Sequence, residues 1–172
     1  MGNVTTAGSY AHALTAGDFS CATTAGHCAS AATAGFNAHA TTTGDDAPAT
    51  TTGNFSHALT AGDDTRATTT GSYAHALTAG DYAHATTVGR LAHALTAGAR
   101  AKTSATGENA IAVAVGANSA ARAANGGFIV LAQYDGDTVV AIKTAQVGKE
   151  GIKPDTWYKL SPTGEFIEAE VG

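Results

Sequence analysis

The sequence is poor in the residues from which globular cores are usually built. Aromatic residues make up 6% of the 172 residues and charged residues 13%, and the chain has one Trp and one Met. A conventional core needs many large side chains, and residues 1–126 have few of them. Disordered chains are usually rich in charge and proline, whereas this chain has only three prolines. The composition therefore favours a repeat architecture with a core of small side chains.

The sequence also lacks a large excess of charge of one sign, and it lacks long apolar runs. Its net charge is −5, and it has neither a basic stripe for nucleic acid nor a dense acidic surface. No stretch contains the roughly 18 consecutive apolar residues of a membrane helix, and the first residues, MGNVTTAG, lack the profile of a signal peptide. We therefore expect no nucleic-acid partner and no membrane partner. A cytoplasmic or a released, virion-associated location would both fit.

What the sequence does contain is a nine-residue repeat. Glycine recurs every nine residues from Gly8 to Gly116. With each glycine counted as position zero, position five is Ala in every unit from Ala13 to Ala94, and position seven is Thr from Thr15 to Thr96. Positions two, four and six vary in size and polarity. Because fixed and variable residues alternate with period two, each unit predicts a strand of about six residues followed by a glycine turn.

Strands repeated at a fixed period stack in register, so equivalent residues form columns about 4.8 Å apart. Arg66 and Lys102 occupy variable positions, which places the variable columns outside because an unpaired charge is costly to bury. The small Ala and Thr columns then line the interior. We therefore predict an all-β fold, a parallel β-solenoid.

The variable positions indicate the coil length. From Asp45 onward the triplets at positions two, four and six alternate between two series. The first series is Phe55-His57-Leu59, Tyr73-His75-Leu77, Leu91-His93-Leu95 and Asn109-Ile111-Val113. The second series is Asp46-Pro48-Thr50, Asp64-Arg66-Thr68, Tyr82-His84-Thr86 and Arg100-Lys102-Ser104. Coils of about 18 residues, two units each, would put each series on its own sheet and give about seven coils.

The repeat ends at Gly126-Gly127, where the composition changes. The segment FIVLAQYDGDTVVAIKTAQV predicts a hairpin around Asp135-Gly136-Asp137, and GIKPDTWYKLSPTGEFIEA predicts a second strand pair across residues 161–164. Solenoids need a cover at an open end. We therefore divide the chain into a solenoid at residues 1–126 and a C-terminal β cap at residues 127–172.

Two segments resemble known repeat proteins. TGENAIAVAVGANSAARA (Thr106–Ala123) resembles the head repeats of trimeric autotransporter adhesins, which use a longer repeat and whose β-rolls associate as trimers. The AHATT-G units followed by IKPDTWYKL resemble uncharacterised bacterial and phage-associated nonapeptide β-solenoid proteins with a C-terminal cap. The second resemblance implies a bacterial or phage setting and no known activity. The GGxGxD turn of calcium-binding RTX rolls is absent, so calcium ligation is not predicted.

Histidine is concentrated at position four. On coils of 18 residues one column contains His39, His57, His75 and His93, which we call the His ladder. A structural ladder is the simplest interpretation. A pH-sensitive element and a transition-metal site are the alternatives, although no acidic column runs beside the ladder.

Other candidate chemistry is sparse. Cys21, His27 and Cys28 lie close together and hint at zinc, but the sequence offers no obvious fourth ligand, so free thiols are the simpler interpretation. No GxSxG motif or Ser/His/Asp set stands out. We therefore predict a non-catalytic protein without a cofactor.

Two outer surfaces remain as functional candidates. The apolar series predicts an interface that consists of Phe55, Leu59, Tyr73, Leu77, Leu91, Leu95, Ile111 and Val113. An exposed apolar patch of this kind is typical of an interaction site, and we expect a homo-oligomer, a dimer or a trimer. The alternative for this patch is that the C-terminal hairpins fold back over it.

The second series predicts outward threonine columns, formed by Thr50/Thr52, Thr68/Thr70, Thr86/Val88 and Ser104/Thr106. A flat array of this kind suggests ice binding as the alternative function. We expect charged residues to share this face and to disturb its regular spacing, namely Asp46, Asp64, Arg66, Arg100 and Lys102.

Overall fold

The computed structural model describes residues 2–169, which are all-β and contain no helix. Eighteen strands follow one another along the chain. They are β1 (Asn3–Ala7), β2 (His12–Ala16), β3 (Cys21–Ala25), β4 (Ser30–Ala34), β5 (His39–Thr43), β6 (Ala49–Thr52), β7 (His57–Ala61), β8 (Arg66–Thr70), β9 (His75–Ala79), β10 (His84–Val88), β11 (His93–Ala97), β12 (Lys102–Ala105), β13 (Ile111–Ala114), β14 (Ala120–Ala123), β15 (Phe128–Asp135), β16 (Thr138–Gln146), β17 (Tyr158–Leu160) and β18 (Phe166–Glu168).

Successive strands from β1 to β15 alternate between two sheets. Sheet A has the order β1-β3-β5-β7-β9-β11-β13-β15-β16, and sheet B has the order β2-β4-β6-β8-β10-β12-β14-β17-β18. The solenoid strands pair in parallel, and the register places Leu59 opposite Leu77 and Thr68 opposite Thr86. The predicted β-solenoid is confirmed, with coils of about 18 residues and about seven turns.

The fixed alanines and threonines face the interior. Ala76 in sheet A and Ala85 in sheet B are both 0% exposed. Some interior hydroxyl groups bond across the core, since the Thr60 hydroxyl donates to Thr65 Oγ1 at 3.0 Å. The small Ala and Thr columns line the interior, as the sequence predicted.

The repeat units differ from the prediction in two respects, the length of the strand and the place of position two. The repeat strands are four or five residues long, and the residue at position two lies in the turn with φ between 51° and 62°. The glycine before it also has positive φ in most units, for example +142° at Gly80, where an added Cβ would overlap the carbonyl oxygen of Gly62. Glycine is therefore required for both its backbone conformation and the closeness of the next coil.

Aspartate after the glycine connects successive coils. The backbone N–H of Asp63 donates to Asp45 Oδ1 at 3.0 Å, and the N–H of Asp81 donates to Asp63 Oδ1 at 2.8 Å. Each carboxylate thus pairs with a corner N–H that would otherwise lack a partner. The preference for Asp at this position follows from the stacking of the coils.

The C-terminal hairpins extend the two sheets. β15 pairs in parallel with β13, and β16 returns antiparallel to it. β17 pairs antiparallel with β14, and β18 pairs with β17. Ile129, Leu131 and Tyr158 are buried at this end, where the interior accommodates large side chains. Residues 170–172 of the predicted cap lie outside the described residues.

Both predicted hairpins are therefore confirmed, but the alternative that they cover the apolar surface is wrong. They continue the sheets lengthwise, and Phe55 and Leu59 both remain 44% exposed. Across residues 2–169 there is no helix of the length and apolar character needed to cross a bilayer.

Candidate functional site

The outer face of sheet A carries three parallel columns of side chains. Position four contains the His ladder, followed by Ile111 and Phe128. Position six forms an apolar column of Leu59, Leu77, Leu95, Val113 and Val130. Position eight is mainly alanine, for example Ala79 opposite Ala97. Five of the eight predicted interface residues lie on this face, namely Leu59, Leu77, Leu95, Ile111 and Val113.

The other three predicted interface residues lie at the corner beside the His ladder. Phe55, Tyr73 and Leu91 occupy position two, have positive φ and precede their strands. Period-two alternation does not distinguish such a turn residue from a strand residue. The pattern therefore predicted, wrongly, that these three residues lie on the sheet. Their side chains flank the face rather than belonging to it.

The corner also contains aromatic residues that the sequence analysis did not select. The ring centroids of Phe19 and Phe36 are 5.9 Å apart, those of Phe36 and Phe55 are 5.4 Å apart, and those of Phe55 and Tyr73 are 4.9 Å apart. We call these four residues the aromatic corner. Arg90 lies at one end of the aromatic corner, with its guanidinium carbon 5.9 Å from the centroid of the Tyr73 ring. The aromatic corner widens the apolar surface of sheet A.

Formal charge is absent from the strands of this face. None of the outward-facing residues of β1, β3, β5, β7, β9, β11, β13 and the first part of β15 (residues 128–132) is Asp, Glu, Lys or Arg. Ile142 of β16 pairs with Ala132, is 54% exposed and prolongs the apolar surface. A broad, uncharged, partly exposed sheet is unusual on a protein that works alone.

The His ladder is stacked as the 18-residue coil predicts. The rings of His39 and His57 are 4.8 Å apart and inclined by 4°, and those of His57 and His75 are 5.0 Å apart and inclined by 11°. His93 is perpendicular to His75 at 5.0 Å. Burial, together with neighbouring His39 and His75, lowers the pKa of His57. Burial and His93 lower the pKa of His75 in the same way.

The outer face of sheet B contains the predicted threonine columns. Thr50, Thr68 and Thr86 are in register at position six, beside Thr52, Thr70 and Val88 at position eight. The regular array ends at Ser104, which is 2% exposed and accepts a 2.9 Å hydrogen bond from Arg122 Nε.

The expected charges are distributed differently around this face. Asp46, Asp64 and Arg100 have positive φ and lie at the corner, so they do not interrupt the threonine columns. Arg66 and Lys102 do lie on the sheet, at either side of His84 in the position-four column. Burial and these two cations lower the pKa of His84, while Asp64 raises it.

Of the three residues that suggested a zinc site, Cys21 is separated from His27 and Cys28. Cys21 begins β3 and lies opposite His39, so it continues the His ladder. Cys28 and His27 lie at the corner before β4, where their ligand atoms are grouped with the carboxylate of Asp46. The signal for Asp46 was its place 18 residues after Cys28, one predicted coil away. Both cysteines are free thiols.

A cavity of about 400 Å³ lies between the C-terminal hairpins. Its walls combine apolar Ile152, Tyr158 and Phe166 with Glu150 and Glu165. The described residues that line it include no histidine, cysteine or serine, so we assign no reaction to it.

Comparisons with protein-family models, with curated proteins and with solved structures each found no match for this chain. The resemblances to adhesin heads and to phage-associated repeat proteins therefore stay predictions. A function has to be inferred from the surfaces of the molecule itself.

Proposed function

We propose that the chain is a non-catalytic structural or binding protein that self-associates through the outer face of sheet A. The observation that supports this is the uncharged row of outward residues, with the apolar column of Leu59, Leu77 and Leu95 at its centre. The expected product is a homodimer or a homotrimer.

The size of the face suits such an association. Seven coils at about 4.8 Å and strands of five residues at about 3.3 Å give a flat area of about 550 Å². The aromatic corner and the projecting side chains make the accessible area larger than this flat area. A standard interface buries about 800 Å² on each partner. The face is therefore large enough for a specific but modest interface.

A second copy of the chain is the partner whose chemistry fits best. A charged partner would bury its charges against a face that offers no formal counter-charge at neutral pH, which is costly. An identical face avoids that cost, and leucines repeated at one-rung spacing can interdigitate with leucines of the same spacing. Removal of this apolar area from water is worth roughly 25 cal/mol per Å².

The test is a charge substitution on each face. Leu77→Asp places a carboxylate in the middle of the apolar column, and Thr68→Asp places the same group at position six of sheet B. We expect light scattering after size exclusion to give an oligomer for the wild type and for Thr68→Asp, and a monomer for Leu77→Asp. A monomeric wild type, or an unchanged mass for Leu77→Asp, would refute the proposal.

Ice binding is the second candidate, and the structure gives it one specific support. The threonine columns of β6, β8 and β10 are in register and are not interrupted by the corner charges. A regular hydroxyl array on a flat sheet presents evenly spaced groups to ordered water.

Crystal shape in a supercooled droplet distinguishes this candidate. Micromolar protein should produce faceted ice, Thr68→Tyr should abolish the facets, and Leu77→Tyr on the opposite sheet should preserve them. Round, unfaceted crystals at high concentration of the wild type would remove ice binding as a candidate.

A further inference from the structure

A cluster of three different metal-ligating side chains lies away from both sheet faces. His27 and Cys28 form the corner before β4, and Asp46 lies at the corner before β6, one coil further along. The ligand atoms of these residues all lie within 4.8 Å of one another. His27 Nε2 lies 3.5 Å from Asp46 Oδ2.

The backbone holds these side chains in fixed positions. Cys28 and Asp46 have φ of 53° and 55°, the conformation found at every repeat corner. The N–H of Cys28 donates to the Asp45 carbonyl at 3.0 Å, and the N–H of Asp46 donates to the Asp63 carbonyl at 3.0 Å. The backbone is therefore fixed and the ligand atoms already lie within 4.8 Å of one another, so only the side chains have to adjust to place them on one ion, and such preorganisation favours binding.

The charge around the cluster also favours a cation. Asp45, Asp63 and Asp64 occupy the same corner on this coil and the next. Arg66 shares a shallow groove with Asp46 and Asp64 and offsets part of this charge. The carboxylates outnumber it, so the corner has a net negative potential that attracts a metal ion.

We propose that His27, Cys28 and Asp46 bind one transition-metal ion of the zinc type and thereby link two successive coils. Imidazole nitrogen, thiolate sulfur and carboxylate oxygen are all ordinary zinc ligands, whereas sulfur and nitrogen donors disfavour calcium and magnesium. The side chains of His27 and Asp46 are 54% and 55% exposed, so water completes the fourth position. On binding, the ion replaces the thiol proton of Cys28, which passes to solvent.

Cobalt(II) is the probe, because a thiolate ligand gives it an intense charge-transfer band in the near ultraviolet. We expect the reduced full-length protein to develop this band with an end point of one Co²⁺ per chain, and Zn²⁺ to displace it. Cys28→Ser should abolish the band. Asp46→Asn should keep the band but weaken Co²⁺ binding about tenfold or more.

Two matched variants control for other sites. Cys21→Ser removes the thiol beside the His ladder, and Asp64→Asn removes the equivalent corner carboxylate one coil on. Cys21→Ser should bind Co²⁺ as the wild type does. Asp64→Asn should keep the band and the end point of one Co²⁺ per chain, with a smaller loss of affinity than Asp46→Asn because it only reduces the local negative potential. Circular dichroism checks that every variant is folded. No band in the wild type would overturn the proposal. A band that survives Cys28→Ser and disappears in Cys21→Ser would also overturn it, because the ion would then be on the His ladder.

Discussion

Sheet A and sheet B have the same interior and different exteriors. Ala76 and Ala85 occupy equivalent interior columns and are equally buried, yet Leu77 lies outside one of them and Thr86 outside the other. The outward residues of the repeat strands of sheet A, β1 to β13, lack formal charge, whereas sheet B carries Arg66 and Lys102. Because the fold depends on the interior columns and on the corners, the exterior columns of the strands are free to vary with what each face contacts.

This difference makes the two sheets controls for each other. A substitution at the same position of neighbouring nine-residue units changes one exterior or the other, while the interior and the strand register stay the same. A change in stability common to both sheets then reports on the fold, and a change confined to one sheet reports on the function of its face.

The largest expected effect comes from overfilling the interior. Ala76→Leu and Ala85→Leu each add bulk at a position that is 0% exposed, and we expect each to cost about 1–3 kcal/mol or more. Thr68→Leu, at the half-buried outer surface of sheet B, should change the free energy of unfolding little. Thermal denaturation provides the measurement. Equal melting temperatures for Ala76→Leu and Thr68→Leu would mean that inside and outside are reversed.

This core could be predicted from the sequence because the interior has space only for small side chains, so the same small residues recur at each interior position. Ala13 to Ala94 and Thr15 to Thr96 identify the strands, and the alternation of Leu59 and Thr68 between series identifies two units per coil. The turn Asp135-Gly136-Asp137 identifies a hairpin by its chemistry. Each of these signals is local or strictly periodic.

The surfaces were predicted less completely because they depend on contacts between coils. Phe55 belongs to a corner because its φ is 58°, and alternation alone does not reveal this. Phe36 belongs to the aromatic corner although it is at position one of its repeat unit, whereas Phe19 and Phe55 are at position two. The proximity of Asp46 to Cys28 can be recognised only when the coil length is known and both side chains are placed at the same corner.

A smaller effect should appear on acidification, and it should be centred on sheet A. The pKa values of His57 and His75 are lowered by burial first and by neighbouring histidines second. Such groups bind fewer protons in the folded state than in the unfolded state just below the unfolded value of about 6.5. Stability should therefore be constant above about pH 6.5 and fall as the pH decreases through that value towards the folded pKa.

Self-association through sheet A would strengthen this dependence. In an assembled pair the imidazoles would lose more water, and protonation would place like charges about 5.0 Å apart along the ladder. We expect the scattering mass to fall between about pH 6.5 and 5, and the melting temperature to fall with it. His84 on sheet B has a lowered pKa from burial and from Arg66 and Lys102, so it contributes to the loss of stability but not to the loss of mass.

Glutamine substitutions separate these contributions, because glutamine keeps a polar side chain without titrating. The double variant His57→Gln/His75→Gln should keep its mass at pH 5, while His84→Gln should dissociate as the wild type does. If the double variant dissociates over the same pH range as the wild type, the ladder is not the group that senses the proton. If His84→Gln alone is resistant, the pH-sensitive contact lies on sheet B, and the assignment of the interface to sheet A would fall with it.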